Sequence, residues 1–294
     1  MTEIIASLGD IARRYDVLLC DLWGCLHDGI HPFPDAVAAL QAFRTAGGRV
    51  VLLTNAPRPE AAVRAHLNAM GVPTDCYDVI VSSGDAAQEA MLAGLVGDKV
   101  FHIGAKADEN FFTTFSDDIV QRITIARVPL DQAEGVICTG LADDRVETPD
   151  MYREVLLGAK ARGLKMICAN PDIMVDKGEN RLYCAGALAA LYEEMGGEAL
   201  YFGKPHAPVY ELARRRLAAM DGKLPVDERM LCIGDGIATD VQGGMAEGLD
   251  TLFITGGLAG PDIPLENGMP DAAALQAYLA RHQQSPTAAI GFLR

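Results

Sequence analysis

The stretch VLLCDLWGCLHDG, residues 17–29, decides how the rest of the chain is read, because a short apolar run ends abruptly on Asp21 and a polar, glycine-bearing turn follows. Such a run, bounded by turn residues, fits a strand buried on both faces of a parallel sheet. Outward from it the pattern recurs in VVLLT (50–54), DVIVSS (78–83), ALYFG (199–203), MLCIGD (230–235) and TLFITGG (251–257), with amphipathic stretches between. That alternation predicts βαβ units: an α/β, Rossmann-like core whose parallel sheet is flanked by helices. One helix opens at Asp35, an N-cap after Pro34, repeats Val37, Leu40 and Phe43, and ends at Gly47-Gly48; the next carries Val63, Leu67 and Met70 before Gly71. Residues 1–15 read as a leading helix. Between Gly97 and Tyr183 a second set of strands, KVFHIG, EGVICTG and LKMICAN, reads as an inserted α/β domain. The expected division is therefore a core of 1–96 and 184–294 with an insertion at 97–183.

A chain of 294 residues suits two domains, since domains cluster near ~100 to 150 residues. The formal charge of −15 argues against nucleic acid or an anionic membrane as partner, because both require a basic surface. No apolar run approaches the ~20 residues of a membrane span, and the first residues lack the basic region and apolar stretch of a signal peptide. The cytoplasm is the expected compartment. Seven cysteines, four of them inside apolar runs and none in a CxxC pair, read as reduced core thiols rather than as zinc ligands.

In an open parallel sheet, ligands gather beyond the carboxyl ends of the strands. Polar residues close the apolar runs in order: Asp21 after VLLC, Thr54-Asn55 after VVLL, Lys204 after YFG, and Asp235 after LCIG with Asp240 in GDGIATD. Singly, each is an ordinary turn, cap or surface residue. Together they supply a carboxylate to attack, a second to hold a divalent ion, and hydroxyl, amide and ammonium donors for a phosphoryl group. Oxygen-only ligands point to magnesium.

DLWGCLHDG, LLTNAPR, GKP and GDGIATD, in this order and at these separations, resemble the four motifs of the haloacid dehalogenase (HAD) superfamily, in its class IIA, NagD-like branch. ICANPD (167–172) and YCAGALAALYE (183–193) resemble the end of that branch's cap domain and its return to the core. The resemblance covers nearly the whole chain and makes the insertion an α/β cap. It implies a phosphatase acting on a small phosphorylated metabolite, a sugar phosphate or nucleotide, through an aspartyl-phosphate on Asp21. Thr54 and Lys204 would hold the transferring group, joined in the phosphate or substrate site by Asn55. Asp21, the backbone carbonyl of Trp23 and Asp235 would ligate Mg2+, and Asp240 would orient a metal-bound water. Asn170 and Asp172 become candidate substrate contacts near the cap's mouth, against the plainer reading of Asn-Pro-Asp as a turn. Cap-mediated association as a homodimer is also implied.

Two positions depart from the family pattern. Trp23 stands where phosphatases of the superfamily carry a second Asp that protonates the leaving group, and an indole has no useful acidity near neutrality. Either the leaving groups need no proton, or another group substitutes, His27 or Asp28 being nearest in sequence, or catalysis is weak. Gly236 stands where NagD-like members commonly have Asn. A catalytically reduced protein that binds a phosphorylated ligand as sensor or scaffold is the competing reading. A dinucleotide-binding domain is disfavoured because no GxGxxG follows the first strand.

Overall fold

The computed structural model describes residues 2–177 and 180–294, and the chain divides into two compact units. The first comprises Met1–Thr54, His66–Val81 and Tyr210–Arg294. Its seven-stranded sheet runs in the order Glu3–Ile4, Ala288–Ile290, Asp250–Ile254, Met230–Gly234, Val17–Cys20, Arg49–Thr54, Val79–Ser82. The pairings from Glu3–Ile4 across to Arg49–Thr54 are parallel. Val17–Cys20 and Met230–Gly234 are buried at every residue, as strands covered on both faces must be. From Val17–Cys20 the chain winds first towards Val79–Ser82 and later, from Met230–Gly234, towards the opposite edge. The strand order therefore reverses between these two neighbours, where open α/β sheets place their ligands.

The second unit, Asn55–Ala65 and Ser82–Val209, has its own five-stranded parallel sheet, ordered Glu198–Tyr201, Lys165–Cys168, Gly135–Cys138, Lys99–Ile103, Ala126–Arg127. Val136, Cys138, Met166, Cys168, Leu188 and Tyr192 form the centre of its core, each fully buried. The segment 97–183 lies inside this unit, which also takes in 55–65, 82–96 and 184–209. No helix among the described residues is long and apolar enough to cross a membrane.

Three local expectations are corrected. The described residues among the first 15 contain no α-helix: Glu3–Ile4 pairs with Ala288–Ile290, and two 3-10 turns follow, Leu8–Asp10 and Ala12–Arg14. Asp10 accepts from the N–H groups of Ala6 and Ser7, so the apolar periodicity is consumed by a capped turn. The strand before Lys204, Glu198–Tyr201, pairs with Lys165–Cys168 in the second sheet rather than joining the first. Apolar pattern identifies a strand but not its neighbours. The helix Pro34–Thr45 starts on its proline, with Phe33 at the N-cap and Asp35 in the first turn, where its charge favours the helix dipole.

At the amino ends of the central strands, Asp78 ties the first unit together. Its carboxylate, 4% exposed, accepts from Arg44 at 2.7 Å and 3.0 Å, from the Val50 N–H at 2.9 Å and from Arg49 at 3.5 Å. Burial alone would raise the pKa of this carboxyl, but Arg44, the Val50 N–H and Arg49 outweigh it and hold it below the usual carboxylate range. A depressed folded pKa gives stability that is present above the unfolded value of ~3.9 and lost as pH falls through the folded value. Asp78→Asn is expected to cost about 1–3 kcal/mol at neutral pH, between the exposed-pair and buried-pair ranges because the arginines are partly solvated. In urea melts the difference from wild type shrinks below pH ~4; a constant difference would disprove the linkage.

Candidate active site

In the first unit, Asp21 and Asp235 follow directly on the two strands that flank the switch point, with Cys20 in register with Ile233 and the Asp21 N–H donating to Ile233 O at 2.9 Å. Neighbouring parallel strands thus deliver both carboxylates to one end of the sheet. One oxygen from each, and the Sγ of Cys25, lie within 4.8 Å of one another. Both side chains are nearly buried, 9% and 6% exposed, and Asp235 Oδ2 accepts the Leu258 N–H at 3.0 Å. Two carboxylates this close repel unless a cation or proton lies between them. Their oxygens, with backbone carbonyls of the same turn, fit a hard divalent ion.

The turn after Asp21 closes because residue 24 is glycine. Its φ is +70°, and a Cβ there would meet Asp235 Oδ2 at 2.1 Å. The Leu26 and His27 N–H groups both return to Leu22 O, at 2.8 Å and 3.0 Å. Thr54, 2% exposed, ends Arg49–Thr54 on the neighbouring strand. Asp240 lies in a π-helical turn, Ile237–Val241, and its Oδ2 accepts the Gly236 N–H at 3.1 Å, so this side chain folds back on its own motif.

Trp23 and His27 are packed as a pair, ring centroids 5.3 Å apart and edge to face, and the indole lies against Gly29. His27 is 1% exposed, not a solvated loop residue, and its Nδ1 accepts the Gly29 N–H at 3.0 Å. Burial, aided by the His66 charge, lowers its pKa to about 4, which leaves a neutral imidazole at pH 7. Asp28 is engaged by the Ile30 and His31 N–H groups at 2.8 Å and 2.7 Å, as the cap of its own turn.

In the second unit, Asn55 joins three sequence motifs. Its Oδ1 accepts the Lys204 N–H at 2.7 Å, while Nδ2 donates to Lys204 O at 3.0 Å and to Asp172 Oδ1 at 2.8 Å. Asn55 and Lys204 are 4% and 3% exposed. Gly203 permits this approach, since a Cβ there would lie 2.5 Å from Asn55 Oδ1. Asn170 Oδ1 accepts the Asp172 N–H at 3.0 Å, the side-chain-to-backbone bond of an Asx turn. The amide of Asn55 is thus engaged by the Lys204 backbone and the Asp172 carboxylate, and that of Asn170 by its own turn and the Cys184 thiol.

Sequence reading missed Cys25 and the Leu258 N–H. The glycines closing TLFITGG carried a usable signal for the second, since they follow a buried strand as the other motifs do. Cys25 gave none, because a thiol beside Leu26 and outside any CxxC pair reads as a core residue.

Residues 18–115 match a family model described as haloacid dehalogenase-like hydrolase, and residues 201–283 match one described as HAD-hydrolase-like. A crystal structure of a hydrolase of the haloacid dehalogenase-like family from Brucella suis 1330 is 40% identical, covers 100% of both chains and superimposes with a TM-score of 0.84. Ribonucleotide monophosphatase NagD from Escherichia coli (strain K12) is 27% identical over 253 residues, 83% of this chain and 89% of that protein. D-Glycerol 3-phosphate phosphatase from Mycobacterium tuberculosis (strain ATCC 25618 / H37Rv) is 29% identical over 256 residues, 84% of this chain but only 65% of that protein's length. A crystal structure of a glycerol phosphate phosphatase from M. tuberculosis in complex with magnesium is 25% identical, with a TM-score of 0.63, over 84% of this chain and 70% of that one.

Proposed function

Given that the chain belongs to the haloacid dehalogenase-like hydrolase family, in its NagD-like branch, we propose that it is a magnesium-dependent phosphatase of small phosphorylated metabolites, sugar phosphates or nucleotides. The observation that carries this reading is the approach of the Asp21 and Asp235 oxygens at the switch point. Asp21 attacks phosphorus, the bond to the leaving oxygen breaks, and water then hydrolyses the aspartyl-phosphate. Thr54 and Lys204 donate to the phosphoryl oxygens, and Asp240 orients groups around the metal ligands. Bound Mg2+, held by Asp21, Asp235 and the Trp23 carbonyl, would neutralise charge on the transferring group. Residues 97–183 form the body of the cap in this reading, with Asn170 and Asp172 at its mouth.

The acid–base function is the weak part of this machinery. Trp23 cannot donate a proton, and a buried His27 with a pKa of about 4 offers only a neutral N–H. Aryl and acyl phosphates, whose leaving groups need no proton, are therefore the expected best substrates. Phosphate release from an aryl phosphate, with magnesium and then with a chelator, tests the proposal; absence of metal-dependent release would reject it. Trp23 also favours the second reading, a sensor that binds a phosphorylated ligand without turning it over. Seven free, buried cysteines support a reducing, cytoplasmic setting.

Asn55 takes a positioning role here rather than direct contact through its amide. Asn55→Ala removes the clasp on the Lys204 backbone and is expected to lower kcat by about 10- to 100-fold, the usual scale for groups that orient a reacting residue. Magnesium affinity, measured by titration, stays near wild type; a large loss of metal binding would contradict the assignment.

A further inference from the structure

The family reading accounts for Asp21 and Asp235 but leaves Cys25 without a task. Its side chain is 1% exposed, and among the described residues its Sγ has no hydrogen-bond partner. It faces one oxygen of each aspartate inside the 4.8 Å group, the one such set of His, Cys, Asp and Glu donors among the described residues. The turn that carries it is fixed: Gly24 presses on Asp235, and the Leu26 N–H returns to Leu22 O at 2.8 Å.

We infer that Asp21, Asp235 and Cys25 form a mixed oxygen–sulfur site that takes a thiophilic divalent ion, of the zinc or cadmium class, in place of the hard ion. Bonds of about 2.0–2.3 Å to oxygen, nitrogen and sulfur put tetrahedral donors roughly 3.5 Å apart, a spacing near that of this set, whose atoms lie within 4.8 Å of one another. A hard ion keeps to the carboxylates and leaves the thiol protonated. A soft ion exchanges with that proton: the S–H bond breaks, a metal–sulfur bond forms, and one proton passes to solvent for each ion bound. Traces of a thiophilic metal would then occupy the centre at the expense of magnesium.

The test titrates magnesium-free protein with cadmium chloride, following the ultraviolet thiolate-to-cadmium charge-transfer band, proton release in lightly buffered solution and bound ion by equilibrium dialysis. Wild type is expected to bind one ion per chain, with the band and one proton. Cys25→Ser and Cys25→Val, which differ in polarity and volume and are each checked for folding by circular dichroism, lose the band. They also weaken cadmium by at least about 10-fold, the loss already typical of groups outside the ligand set. Asp235→Asn loses the band as well. Absence of the band in wild type overturns the inference. So does its persistence in either Cys25 variant, which would assign it to one of the other buried thiols, or in Asp235→Asn. Magnesium-dependent phosphate release is measured on the same wild-type preparation: a cadmium band without turnover rejects the phosphatase reading alone, and turnover without the band rejects the soft-metal site alone.

Discussion

Asp21→Asn is expected to lower phosphate release from an aryl phosphate by about 10,000-fold or more, the scale at which enzymes lose activity when the attacking group is removed. The amide is nearly isosteric, and the Asp21 N–H keeps its bond to Ile233 O, so the fold should be unchanged. In the proposed mechanism, what disappears is the nucleophile and one of two charged metal ligands. The other, Asp235, retains the Leu258 N–H. Metal affinity is therefore expected to fall by a smaller factor than turnover, and titration at saturating magnesium separates the two effects. Residual turnover above about a tenth of wild type would show that the phosphoryl group is not transferred to Asp21.

Trp23→Asp should act in the opposite direction. General acid–base help is typically worth ~100 to 10,000-fold. Restoring a carboxyl is expected to raise kcat/KM on an alkyl phosphate within that range while changing an aryl phosphate far less, since its leaving group needs no proton. The indole lies against Gly29 and the His27 ring, so its removal also opens space in the turn. A stability loss of about 1–3 kcal/mol, measured in urea, is expected alongside the gain. An equal change on both substrates would place the deficit elsewhere than leaving-group protonation.

These two residues illustrate what a linear sequence carries. Asp21 stood out because a fully apolar run stopped at a carboxylate, and the physics of parallel sheets assigns that position to ligands. Asp235 and Thr54 were legible for the same reason. Lys204 was singled out because it follows an apolar run, but the strand formed by that run is only partly buried and belongs to the second sheet. Hydrophobic pattern reports burial, whereas strand neighbours depend on contacts between residues far apart in the chain. The leading helix failed similarly: its apolar spacing was real, yet pairing of Glu3–Ile4 with Ala288–Ile290 supplied backbone partners that a local reading cannot see.

The sequence by itself determined the α/β class, the order of the four motifs and the absence of an acidic group at position 23, because strand periodicity, turn chemistry and residue identity are local properties. Only the tertiary structure decided that Cys25 turns towards two carboxylates, that His27 is buried and neutral rather than solvated, and that the Asn55 amide is engaged by the Lys204 backbone. Each of those depends on where a side chain points once Gly24 and Gly203 let two stretches of backbone close on their neighbours. Orientation and burial of this kind arise from long-range packing, which no window of sequence contains.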